Sequence, residues 1–345
     1  MTVKRAPRVT SLDVARLAGV SQSAVSRALT AGASISDAMR KRVSEAAQSL
    51  GYTPNVFARS LITRRSDIIG VVMGDVTSAF YAEVLDQLSR SLQARGQRVL
   101  FATARPDARP DQAVRELLQY HVAGIVITSA TLSRAMAEQC AVAEAPVVLL
   151  NRKPPPGAAS SIRCDSVDGG FRAGELLARA GHRRFAFVGG RPDAFSSKER
   201  ERGFAQALAA HGMAIAVTVH GNFTYQGGFA AGQELLAGRE RPDAIFCGSD
   251  EMALGVMDAA RHALGLRVPQ DVSVVGFDDI AMAAWEGYRL TTIRQPVPQM
   301  VKRTLELLFE QIERPGAKRV VQQIAGELVV RSSARLEAGH LAATA

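Results

Sequence analysis

The sequence predicts an α/β protein: an N-terminal all-α head, a short helical linker, and two doubly wound parallel-sheet subdomains. Three observations predict it. From Ile68 onward short apolar runs alternate with amphipathic stretches, the pattern of parallel strands covered by helices on both faces. Residues 9–29 carry two short helical patterns joined by a glycine. The charge is also divided: residues 1–66 hold 11 Lys and Arg against 3 Asp and Glu, whereas the other 279 residues hold 31 against 30. A basic head on a neutral body implies a nucleic-acid module joined to a part with another task.

In the head, Thr10 followed by Asp13 fits a capping box. Leu12, Val14, Ala15, Leu17 and Ala18 then form a mostly apolar stripe. Gly19 can take the left-handed conformation that ends a helix, and Val20 is placed to plug the space before the next one. Ser21 caps a second helix from Gln22 to about Leu29, with Val25 and Leu29 facing inward. Gln22, Ser23 and Ser26 face elsewhere. Gln pairs bidentately with adenine, and Arg27 suits guanine or a phosphate. This is the form of a helix-turn-helix, although an ordinary polar face on a small bundle satisfies the same periodicity. A third helix follows Ser36, with Met39, Val43, Ala46, Ala47 and Leu50 in step and Gly51 ending it; Arg40, Lys41 and Arg42 lie on or near its outer face, as phosphate contacts or as solvated charge. Pro54 disfavours helix at Thr53 and closes the head. Residues 55–62 have room for about two helical turns, too few to persist alone in water, and 63–67 read as a polar linker. The boundaries are therefore 1–53 for the head, 54–67 for the linker and 68–345 for the body.

The body's apolar runs lie at 68–74, 98–103, 124–129, 146–150, 184–189, 243–249 and 272–278. Two sheets, one on each side of about residue 160, face each other across a cleft, and open α/β sheets bind ligands beyond the carboxyl ends of their strands. No apolar run approaches the roughly 20 residues of a membrane span, and no apolar signal segment follows the basic N-terminus, so the expected location is cytoplasmic. Cys140, Cys164 and Cys247 are too few and too scattered for a disulfide framework or a metal site. Phosphate-loop, dinucleotide, zinc-protease and nucleophile-elbow motifs are missing from the sequence. The histidines are isolated, and the adjacent acids Asp250–Glu251 and Asp278–Asp279 do not converge as a dyad. No enzyme, metal or cofactor is expected.

Several motifs stand in one order along the chain: LDVARLAGVSQSAVSRAL, GYTPN at 51–55, ARSL at 58–61, AGHRRFAFVGG at 180–190, RERGFAQAL at 200–208, SDEMALG at 249–255, VPQDVSVVGFDD at 268–279 and LTTIRQP at 290–296. With them the chain resembles the lactose-repressor/galactose-repressor (LacI/GalR) family of transcriptional regulators. The resemblance implies a body of periplasmic-binding-protein type, with subdomain one at about 68–160 plus 297–325 and subdomain two at about 161–293 plus 326–340. It implies recognition positions at Gln22, Ser23 and Arg27, within a DNA-facing set that also holds Thr10, Ser21, Ser26, Asn55, Ala58 and Leu61. Residues 55–62 become a hinge helix that orders on DNA. Ala58 lets two such helices approach across a homodimer, and Leu61 wedges into the minor groove; the bland role for Leu61 is to cover the body. The implied effector set is Phe80, Tyr81, Asn151, Arg152, Ser196, Arg200, Phe223, Ser249 and Asp278. Stacking aromatics and bidentate polar groups suit a sugar, sugar acid or related polyol. The alternatives are a solvated helix start for Arg200, a turn cap for Asp278, and core for Phe80 and Phe223. The segment after Arg335 lacks leucine heptads, so a coiled-coil tetramerisation helix is not expected. The expected function is a ligand-responsive repressor of a pseudo-palindromic operator; a cytosolic sugar- or nucleoside-binding protein or enzyme is the competing reading.

Overall fold

A computed structural model describes residues 9–29, 33–53, 66–74, 76–104, 110–128 and 132–336. The chain divides into two units, Met1–Asp67 and Ile68–Ala345.

The first unit contains α1 (Ser11–Ala18), α2 (Gln22–Ala28) and α3 (Asp37–Ser49). Thr10 and Asp13 form the reciprocal capping box: Thr10 N donates to Asp13 Oδ2 (2.9 Å) and Asp13 N to Thr10 Oγ1 (3.4 Å). Gly19, at φ 62°, ends α1. Ser21 Oγ accepts from Ala24 N at the start of α2, and Ser36 does the same for Met39 N at the start of α3. Val14, Ala15, Ala18, Val25, Ala28, Val43, Ala46 and Ala47 form the core, with Val20, Leu29, Met39 and Leu50 against it. Two expectations are corrected. Leu12 and Leu17 are each 56% exposed: at about 100° per residue they lie well off the stripe set by Val14, Ala15 and Ala18. Arg40 does not project outward. Its guanidinium donates to Ala28 O (3.0 Å) and Ala33 O (2.9 Å), satisfying a carbonyl at the end of α2 that has no helical partner. Asn55, Ala58 and Leu61 lie outside the described residues.

The second unit runs β1 (Ile68–Met73), α4 (Ala79–Gln93), β2 (Arg98–Thr103), α5 (Pro110–Leu118), β3 (Gly124–Thr128), α6 (Arg134–Val142), β4 (Val147–Leu150), β5 (Ser160–Cys164), α7 (Ser166–Arg179), β6 (Phe185–Gly189), α8 (Phe195–Ala210), β7 (Ile215–His220), α9 (Tyr225–Leu236), β8 (Ala244–Cys247), α10 (Asp250–Asp258), β9 (Ser273–Asp278), β10 (Thr291–Arg294), α11 (Val297–Glu313), β11 (Val321–Ile324) and β12 (Glu327–Val329). A π-helical turn, Ala259–Ala263, extends α10. The expected architecture is present: two six-stranded sheets, ordered β11-β5-β4-β3-β1-β2 and β12-β10-β9-β8-β6-β7. Among the described residues every pairing is parallel except the antiparallel β10–β12.

The central strands β1, β3, β4, β6 and β8 are buried along their whole length, as their unbroken apolar sequences require. On one face of the first sheet Ile69, Val71, Val126 and Val148 share a core with Val84, Leu88 and Leu92 of α4. On the other, Val72, Ile125, Ile127 and Leu149 pack with Val114, Leu117, Met136 and Cys140 of α5 and α6. The rings of Phe185, Phe187, Phe204 and Phe246 pack edge-on and tilted against one another inside the second subdomain. The chain passes between the sheets three times: after β5, between β10 and α11, and between β11 and β12. β5 belongs to the first sheet, between β4 and β11, so the crossing follows Cys164 and not residue 160. SSIRC carries no apolar run that marks it as a strand.

Candidate functional site

The carboxyl ends of both sheets bear a continuous polar chain. At the end of β4, Asn151 turns with φ 58°, and its Nδ2 donates to Gln295 Oε1 (3.1 Å). Gln295 sits where β10 leads into α11, and its Nε2 donates to Asp278 Oδ1 (2.6 Å). Asp278 ends β9 and lies 3.6 Å from Arg200 Nη2. Arg200, buried on α8, donates from Nη1 to Gly248 O and lies over the Phe277 ring, 3.6 Å from its centroid. The chain thus spans the cleft from the first sheet to the second. Beside it, Arg152 Nη2 donates to the hydroxyl of Tyr81 on α4 (3.3 Å).

Burial raises the Asp278 carboxyl above the ordinary aspartate range, with Arg200 and the Gln295 hydrogen bond pulling it back. Asp250 beneath it is raised too, first by burial and then by the Asp278 charge. Asp250 fills space left by Gly276 on β9, where an added Cβ would lie 2.2 Å from its Oδ1. It accepts from Thr292 Oγ1 and from Ile280 N (2.9 Å). The buried Asp250 carboxyl group therefore holds the turn at the end of β9, in which Asp278 and Asp279 both have positive φ, 130° and 60°. Such backbone costs free energy for non-glycine residues and persists only where surroundings hold it; Arg294 and Arg331, each 2.7 Å from the Asp279 carboxylate, help to do so.

Phe223 lies after β7, in the left-handed region at φ 61°. Its ring covers Gly190, where an added Cβ would meet Phe223 Cζ at 2.0 Å. Gly190 is held by Ser197 Oγ, which accepts from its N–H (2.9 Å), and by His220 Nδ1, which donates to its carbonyl (3.0 Å). Ser249 is buried and spends its hydroxyl on Met252 N as the cap of α10. Ser196 is half-buried in the first turn of α8. Phe80 is only 4% exposed and belongs to the core, so Tyr81 is the α4 aromatic that reaches another expected site residue, Arg152. Three residues that sequence reasoning missed also cross the cleft. Glu251 Oε1 accepts from Ala79 N (2.8 Å), serving the start of α4, where Ser78 supplies no side-chain cap. Glu199 on α8 pairs with Arg163 on β5 (3.1 Å), their side chains 9% and 11% exposed. Gln295 is the third; it stood inside LTTIRQP, but no local pattern marks a glutamine as a bridge.

In the head, Ser21, Gln22, Ser23 and Arg27 are exposed, Ser26 is half-buried, and Ala24, Val25 and Ala28 are buried. The start of α2 thus presents its polar side chains while its apolar face packs inward. Thr10 is exposed at the start of α1.

Residues 10–55 match the family described as "Bacterial regulatory proteins, lacI family", and residues 175–334 match "Periplasmic binding protein-like domain". The HTH-type transcriptional regulator CelR of Thermobifida fusca is 34% identical over 340 residues, covering 96% of this chain and all of that protein. The ribose operon repressor of Escherichia coli K12 is 33% identical, covering 94% and 99%. The chain belongs to the lacI family of bacterial regulatory proteins. A solved structure of the lac repressor dimer bound to operator and the anti-inducer ONPF is similar along 95% of this chain and 99% of that one, with TM-score 0.85 and 27% identity.

As a lacI-family member the protein is a ligand-responsive, DNA-binding transcriptional repressor, and its relatives are named as transcription regulators. Among the described residues no helix is long and apolar enough to cross a membrane, and no group of His, Cys, Asp and Glu is arranged to hold a metal ion. Cys164 and Cys140 are buried thiols raised by desolvation to about 12 and about 11, the opposite of an activated nucleophile.

Proposed function

We propose that the head (1–53) and hinge (54–67) of two protomers bind a pseudo-palindromic operator, and that the body (68–345) binds a sugar, sugar acid or related polyol in its cleft and thereby changes DNA affinity. The observation that carries this reading is the chain Asn151–Gln295–Asp278–Arg200, which joins the two subdomains through groups that also suit hydroxyls. A ligand hydroxyl donating to Asp278 or accepting from Asn151 inserts into that chain, and Phe223 offers an apolar face beside it. Arg152 is the group on which the carboxylate of a sugar acid would rest. Tyr81, Ser196 and Ser249 complete the proposed lining, with Phe80 packed in the core against the Tyr81 ring. The regulator works in the cytoplasm and catalyses no turnover of its effector.

Effector binding then favours one arrangement of the two subdomains and, through the dimer, separates or joins the hinge helices. Inverting a 1:99 population takes about 5.5 kcal/mol of preference for one state. Induction is the expected direction. In the proposed operator complex Gln22, Ser23 and Arg27 read base edges, Thr10, Ser21, Ser26 and Asn55 line the DNA face, Ala58 lets the hinge helices meet, and Leu61 is the wedge.

A thermal-shift screen of sugars, sugar acids and polyols tests the cleft, because a ligand bound only by the folded state raises its melting temperature. An operator-binding titration with each ligand found tests the coupling. A ligand that stabilises the body but leaves operator affinity unchanged rules out coupling. For the wedge, Leu61→Ala weakens operator binding and leaves ligand binding intact; equal operator affinity for both proteins removes Leu61 from the interface.

A further inference from the structure

We propose that Ser11 is a specificity-determining residue of the DNA-reading surface, acting by positioning Gln22 for its base. The proposal rests on the reading that Gln22 meets a base edge, and it assigns the reason Gln22 would meet that edge in one orientation.

Ser11 is the first residue of α1 and Gln22 the first of α2. The turn between the helices brings these two starts together, and Gln22 Nε2 donates to Ser11 Oγ at 2.9 Å. Ser11 is itself well fixed: it directly follows Thr10, whose N–H and Oγ1 both donate to Asp13 Oδ2, at 2.9 and 2.7 Å. The hydroxyl that holds Gln22 is thus anchored by the capping box of the neighbouring helix. Gln22 is exposed, so the hydrogen bond to Ser11 is the contact that favours one of its rotamers.

A glutamine held only by water samples several rotamers, and its terminal torsion is broad and roughly two-fold. It reaches a groove in many poses, most of them useless for a bidentate contact. Tying one amide N–H to α1 leaves Oε1 and the second N–H directed outward from one place. Adenine presents an N7 acceptor and an N6 donor in the major groove, which that pair of groups matches. The same arrangement recurs one residue on, where Ser23 Oγ lies 2.9 Å from Ser21 Oγ. The two candidate reading side chains at the start of α2 are therefore both held before DNA arrives, one by α1 and one by the α2 cap.

The test compares full-length wild type with Ser11→Ala, Ser11→Thr, Gln22→Ala and the Ser11→Ala/Gln22→Ala double variant. Each is selected against a duplex library randomised through one operator half-site, and its thermal melt is recorded. Gln22→Ala flattens base preference at one position, by about tenfold for the loss of a good bidentate contact. Ser11→Ala flattens the same position by about threefold, with an unchanged melt and unchanged salt dependence, since no phosphate contact is lost. Ser11→Thr keeps the wild-type preference, and the double variant is no flatter than Gln22→Ala. The proposal is overturned if Ser11→Ala selects as wild type does, flattens a different position, or lowers the melt with a general loss of affinity. If Gln22→Ala flattens no position, the reading of Gln22 fails first, and the role of Ser11 falls with it.

Discussion

Asp278 has two demands on it: it is buried, which favours the neutral acid, and it faces Arg200 and Gln295, which favour the carboxylate. Burial wins, so its pKa stands above the ordinary aspartate value of 3.8. A sugar hydroxyl donating to Asp278 stabilises the ionised form further. Effector affinity is therefore greatest where Asp278 is already ionised, and it falls as the pH drops through the raised pKa, in the window above 3.8. Asp278→Asn removes this titration. It weakens the effector by about 2 kcal/mol, the scale of a hydrogen bond to a charged group, and leaves a flat profile there. Calorimetric titration with a screened sugar at several pH values measures both; a profile of the same slope in wild type and variant removes Asp278 from the ligand contacts. Arg200 and Asp278 stood in recognisable motifs, and the structure sets them 3.6 Å apart. Gln295 and Glu251 were illegible because their partners lie 144 and 172 residues away. No local pattern distinguishes such residues from solvated ones.

At the scale of elements, the position of Arg200 depends on how closely α7 and α8 approach. Gly170 on α7 touches the α8 backbone, where an added Cβ would lie 2.1 Å from Arg200 O; Gly203 on α8 does the reverse, at 2.0 Å from Val167 O. Both obstacles are backbone, so no side chain can turn aside. Gly170→Ala forces the helices apart, at about 1–3 kcal/mol for overpacking, and shifts Arg200. The expected outcome is a lower melting temperature of the body together with weaker effector binding; an unchanged melt means that the helices slide apart freely. The strands buried on both faces were readable as apolar runs because β1, β3, β4, β6 and β8 have no polar face. The edge strands β7 and β11 were not, since their solvated sides dilute the pattern. β5 hid for another reason. Its serines are buried as hydrogen-bond partners, Ser160 Oγ accepting from Gln311 Nε2 (3.0 Å) and Val320 N (3.1 Å), so polar residues occupy a central strand. Leu12 and Leu17 read as core by residue type alone, but the helical period carries both away from the face set by Val14, Ala15 and Ala18.

For the whole molecule, function requires that the two subdomains have a preferred arrangement that a ligand can shift. The buried pair Arg163–Glu199 bears on that preference, because it joins β5 of the first subdomain to α8 of the second at 3.1 Å. The Phe195 ring lies close by, 4.8 Å from Lys153 Nζ and 5.1 Å from the Arg163 guanidinium. Removing one member of a buried pair costs about 3–5 kcal/mol, chiefly because the other charge is stranded. Opening the cleft lets water reach Arg163, so that cost falls on the closed arrangement. Glu199→Gln therefore depopulates the closed state, and the apparent affinity of a ligand that needs it falls by the same fraction. An effector dissociation constant at least about tenfold weaker is expected, because water entering the opened cleft offsets part of that cost, with the effector concentration that releases operator moved by the same factor. Operator affinity without effector is not weakened. The double variant Arg163→Met/Glu199→Met separates charge from packing: two apolar side chains of similar size strand no charge, so effector affinity returns toward that of wild type. If Glu199→Gln lowers the melting temperature yet leaves effector affinity unchanged, the pair holds the fold together without setting the balance between its states.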